Sequence, residues 1–79
     1  METKLFKVGI SQIETGHVFK PDLTLYLGEG DYFVYFDSVR EAILFSNQLV
    51  KEHPEFECWI SNDQDEMVYF KSRDRESFY

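Results

Sequence analysis

Cysteine, proline and glycine are scarce here: one, two and four residues respectively in a chain of 79. The lone Cys58 can close no internal disulfide, so any fold must be held by packing and hydrogen bonds alone. No apolar stretch approaches the ~18 residues that a membrane span requires. The opening Met-Glu-Thr-Lys lacks the charged and apolar regions of a secretion signal, and a cytoplasmic location is expected. Positive charge is also in short supply. Eight Lys and Arg stand against fifteen Asp and Glu, a formal net charge of −7. Such a balance argues against a nucleic-acid backbone or an anionic membrane as the principal partner and favours a basic protein.

The chemistry of an active site is missing in the same way. Cys58 alternates with Phe56 and Ile60 and has no Cys-x-x-Cys companion, which makes it a small core residue rather than a reactive thiolate. His17 sits in an irregular segment and His53 at a helix end, and neither has a second histidine three or four positions away. Asn62, Asp63, Asp65 and Glu66 gather oxygen atoms, yet the central glycine and final acid of a calcium loop are absent. Gly28-Glu29-Gly30 opens no helix and carries acids that repel phosphate. The sequence therefore predicts no enzyme activity, no cofactor and no metal.

What the chain has in quantity is aromatic side chains: eight Phe, five Tyr and one Trp. These rings bury enough surface for one small core, and residues 1–79 read as a single acidic domain. Phe6, Val8 and Ile10 alternate with Lys7 and Gly9, predicting a strand over Leu5 to Ile10. Segment 11–19 reads as a loop with at most a short extended piece. Leu23, Leu25 and Leu27 alternate again and predict a second strand over 22–27. Gly28 and Gly30 then favour a tight hairpin into a third strand, Tyr32 to Phe36.

Ser38 followed by Glu41 is a capping-box pattern, and Val39, Ala42, Ile43, Ser46, Leu49, Val50 and His53 share one arc, predicting a helix over 38–53 stopped by Pro54. Residues 56–61 and 67–71 read as a second hairpin across a polar turn, and Ser72 to Tyr79 as a frayed, charged tail. The expected fold is α+β in the order β-β-β-α-β-β. One helix packs on one face of a mostly antiparallel sheet of about four to five strands, a two-layer sandwich.

One helix covers only one sheet face. If Phe56, Cys58 and Ile60 face it, the pleat sends Tyr26, Phe33, Tyr35 and Trp59 to the other side, with Tyr69 or its neighbours Val68 and Phe70 beside them. Glu29, Asp31, Glu57 and Asp63 border these rings. Either the loop around Ile13, Val18 and Phe19 or the tail through Phe78 and Tyr79 folds over this face, or the face is a binding surface. Aromatic rings with polar handles are the usual anchors of protein interfaces. The functional expectation is a protein-binding inhibitor, such as an immunity protein or antitoxin that neutralises a basic nuclease or another toxic enzyme. The alternative is a regulatory or scaffolding domain of a larger complex, with a homodimer through the open sheet face.

Overall fold

A computed structural model describes residues 5–28 and 30–79. It contains a six-stranded, mostly antiparallel sheet with one helix packed against it, the expected α+β architecture. The strands are β1 (Phe6–Gln12), β2 (Val18–Phe19), β3 (Val34–Phe36), β4 (Phe56–Ser61), β5 (Met67–Lys71) and β6 (Glu76–Phe78), and the helix α1 is Val39–Glu52. β1 lies inside the sheet: β4 pairs along one side of it, while β3 pairs with its first half and β2 with its second half along the other. From β4 the sheet continues through β5 to β6.

The helix begins where Ser38 caps it, its hydroxyl accepting from the Glu41 N–H at 3.2 Å, and ends at His53, whose N–H reaches the Leu49 carbonyl at 2.8 Å. Ala42, Ser46, Leu49 and Val50, spaced at i, i+4, i+7 and i+8, are its buried face. They close over Val8 and Ile10 of β1, Phe56, Cys58 and Ile60 of β4, and Tyr69 of β5. Ile43 and Phe45 flank the stripe, and the Phe45 ring meets Phe36 with centroids 5.4 Å apart. Val39, expected in the core, remains 37% exposed in the first turn. Leu44, on the opposite side, is 61% exposed.

The strand expected over 22–27 is absent. Turn chemistry outweighs the leucine alternation: Pro21 and Asp22 occupy the centre of a reverse turn in which the Leu23 N–H bonds the Lys20 carbonyl at 2.8 Å. The Asp22 carboxylate takes both the Thr24 N–H at 3.1 Å and the Thr24 hydroxyl at 2.6 Å. Leu23 is forced to φ +66°, a left-handed conformation that no strand contains, and packs against the core. A short hairpin results, with Phe19 bridged to Leu25.

Gly28 and Gly30 do adopt positive φ, +90° and +76°. The hairpin expected around them does not form, because β3 pairs with β1 instead. Glu29 lies outside the described residues.

The tail is ordered as β6, which corrects the expectation of a frayed end. Ser72 and Arg75 close a turn, and the Phe78 ring packs edge-on against Tyr69 at 5.0 Å. The Arg75 guanidinium stacks over Phe70 at 5.0 Å. Among the described residues no helix is long and apolar enough to cross a membrane.

Candidate functional site: the sheet face opposite the helix

Sheet register decides which side chains share the face opposite α1. Gly9 pairs with Trp59, Ser11 with Glu57, and Lys7 with both Ser61 and Tyr35. Trp59 in turn pairs with Phe70, and Phe70 with Ser77. Since residues directly opposite in a ladder point the same way, Tyr35, Lys7, Trp59, Glu57, Phe70 and Ser77 lie together on this face.

Trp59 is its centre. Gly9 has no side chain, and the indole lies over it: a Cβ at position 9 would come within 2.7 Å of the indole Cη2 and closer still to Cζ2 and Cε2. Ser11 and Ser61, small and buried, are the cross-strand partners of the residues on either side of the indole. Trp59 is half-buried. Beside it the Ser11 hydroxyl donates to Glu57 at 3.0 Å, fixing that carboxylate next to the ring.

A second aromatic group stands at the β3 end. Tyr26, Tyr32 and Phe33 meet in series, edge-on at 4.6 Å and then tilted at 4.4 Å, and Phe33 meets Tyr35 edge-on at 6.3 Å. Lys7 links this group to the acidic turn. Its ammonium lies 4.7 Å from the centre of the Phe33 ring and pairs with the Asp65 carboxylate. The Tyr35 hydroxyl donates to Asp31, and the Phe33 N–H adds a bond to the same carboxylate at 3.0 Å. The Tyr35 hydrogen bond, and then the Phe33 one, holds the Asp31 carboxyl below its ordinary pKa, so Asp31 is ionised at neutral pH.

Of the predicted site residues, Trp59, Tyr35 and Glu57 share this face, and Phe33, Tyr26 and Asp31 join them at its β3 end. Asp63 stands exposed in the β4–β5 turn, which Asn62 organises by accepting the N–H groups of Gln64 and Glu66 at 2.9 and 3.0 Å. Those bonds, together with one at 3.0 Å from the Asn62 amide to the Glu66 carboxylate, give the polar cluster a structural task. Among the described residues no set of three or more His, Cys, Asp or Glu is placed to hold a metal ion.

Tyr69 does not belong to this face. It pairs with Ile60, points to the helix and is fully buried, its hydroxyl accepting from Asn47 at 3.2 Å and donating to Glu76 at 2.5 Å. Phe70 takes its place. The register shift between Ile60 and Ser61 breaks any parity count carried through the turn, which is why spacing alone leaves the two alternatives open. Lys7 and Arg75 are the residues that sequence reading missed; the strand alternation around Lys7 was the available signal.

The two segments expected as possible covers divide between the faces. Val18, opposite Ser11, and Ser77, opposite Phe70, lie on the Trp59 side, where Arg75 over the Phe70 ring donates to the Tyr79 hydroxyl at 3.2 Å, while Phe19 and Phe78 turn to the helix side. Phe19 packs edge-on against Phe56 at 4.8 Å, and Phe78 against Tyr69. Cys58 lies in the core, where burial first of all pushes its thiol up to about 12 from 9.0. No known protein family, curated protein or solved structure matches this chain.

Proposed function

We propose that this protein is a stoichiometric inhibitor that binds a basic enzyme, of the toxin or nuclease kind, through the face around Trp59. The observation that carries the reading is the Trp59 indole spread over Gly9 at the centre of the sheet face opposite the single described helix. An indole held in this way offers a broad, rigid contact at small entropic cost, the property of an interface anchor. Glu57 and Asp31 stand at its borders as fixed carboxylates, and the net charge of −7 draws a cationic partner inward. Carboxylates of this kind fit a nuclease cleft where substrate phosphates otherwise lie. A buried, unpaired Cys58 suits the reducing cytoplasm in which such an inhibitor would protect its host.

The test places a photo-crosslinking residue at position 35 and irradiates cells of the native host. The expected product is a conjugate with a basic enzyme whose activity disappears at equimolar inhibitor. Trp59→Ala should abolish conjugation while the circular dichroism of the free protein is retained. A conjugate joining two copies of this chain, or one that persists in Trp59→Ala, overturns the reading.

A further inference from the structure

An open groove separates the C-terminal half of α1 from the end of β5, on the opposite side of the sheet from Trp59. Asn47, Val50, Lys51 and Pro54 form one wall, on a single helical flank continued past the cap, and Lys71 and Arg73 form the other. Three of the eight basic residues in a strongly acidic chain thus meet at one place, and none of the described residues lining it is an acid.

Three acids adjoin these cations, and each holds a partner of its own. Glu76 stands opposite Lys71 in the β5–β6 ladder, yet its carboxylate takes the Tyr69 hydroxyl at 2.5 Å. Glu52, next to Lys51, takes the Gln48 amide at 2.5 Å. Arg73 meets only its exposed neighbour Asp74, at 3.5 Å. Neither Lys51 nor Lys71 has an ion pair among the described residues.

Three cations facing one groove repel each other, and a multivalent anion between them removes that repulsion. Lys51 itself offsets the partial negative charge of the helix C-terminus. A carboxylate brings one charge and two oxygens; a phosphoryl group brings nearly two charges and three terminal oxygens, which matches three donors from separate positions. Val50 and Pro54 add an apolar wall for whatever the phosphate is attached to.

We propose that this groove binds small phosphomonoesters, with Lys51, Lys71 and Arg73 holding the phosphoryl group and Val50 and Pro54 packing against the organic part. The site is independent of the face assigned to protein binding.

Backbone amide chemical shifts, followed during titration with phenyl phosphate, inorganic phosphate and benzoate at constant ionic strength, test it. Saturable shifts confined to residues 47–54 and 71–73 are expected, with phenyl phosphate binding most tightly and benzoate least. Lys71→Gln and Arg73→Gln should each weaken phenyl phosphate about tenfold, the loss of one charged hydrogen bond. Arg40→Gln, which removes an exposed cation in the first helical turn, should leave affinity unchanged. The same spectra report whether each variant is folded. Shifts that never saturate, benzoate binding as tight as phenyl phosphate, or equal weakening by Arg40→Gln would overturn the proposal.

Discussion

The Trp59 indole occupies the volume that a side chain at Gly9 would need, and the two residues face each other across the central β1–β4 ladder. Glycine in the middle of a strand is ordinarily a weakness, since it costs backbone entropy and offers nothing to pack. Here the neighbouring strand supplies the missing cover, so the glycine lets a large ring lie close to the sheet.

Gly9→Ala should therefore destabilise the protein by about 1–3 kcal/mol through overpacking. The indole must lift, and its fluorescence should shift toward the red with greater quencher access. Combining Gly9→Ala with Trp59→Ala should cost less than the sum of the single changes, because the clash is gone. Additive costs in denaturant unfolding would show that the ring and the glycine do not depend on each other.

Leu49 and Leu44 sit on one helix with opposite surroundings, 9% and 61% exposed. Leu49→Ala removes a buried side chain over the sheet and should cost ~2–5 kcal/mol. Leu44→Ala should stay within ~0.5 kcal/mol of the parent. Urea midpoints for the two variants measure the difference.

Cys58 should react with thiol reagents only when the protein opens. Burial raises its thiol to about 12, so little thiolate exists near neutral pH and what forms is inaccessible. Native labelling should be slower than labelling of the unfolded chain by orders of magnitude. Equal rates in native buffer and in denaturant contradict this.

Alkaline pH should unfold the protein through Tyr69. Burial, and then the hydrogen bond given to Glu76, raises its phenol from 10.0 to about 12. The folded state thus prefers the neutral ring; that contribution is complete below pH 10 and is lost as pH climbs through 12. Cys58 acts in the same direction, its loss starting nearer its unperturbed 9.0. Urea midpoints should hold steady at neutral pH and fall across this alkaline range. In Tyr69→Phe the fall should be shallower, from a lower starting stability because Asn47 and Glu76 lose their partner.

Helix, central strands and capping were legible because each rests on a local rule. Ser38 and Glu41 announce the N-terminus, and Phe56, Cys58 and Ile60 keep strict alternation with no irregularity inside their run. The second strand misled because its alternation is real but subordinate: the Asp22 carboxylate organises a turn that takes Leu23 out of extended geometry. Tyr69 was ambiguous for a different reason, since the register shift at Ile60 and Ser61 resets the parity of everything after the turn. Strand β6 escaped notice because its order comes from non-local contacts, Phe78 on Tyr69 and Ser77 opposite Phe70, which a charged sequence does not advertise. At the Trp59 face the parity was readable, that of Lys7 included, whereas Arg75 reaches it through a ring contact that only the assembled sheet creates.

The interior position of β1 sets an order of events during folding. Its longest ladder is with β4, where Ser11 and Glu57 are bonded across 46 positions. Until β4 has been synthesised, β1 can pair only with the short segments of β2 and β3, and the core that Val8 and Ile10 share with Phe56, Cys58 and Ile60 is incomplete. A chain with so much non-local pairing collapses late and more slowly than a helical bundle of the same length. Nascent chains should therefore remain protease-sensitive until the second half has left the ribosome, and then become protected in one step.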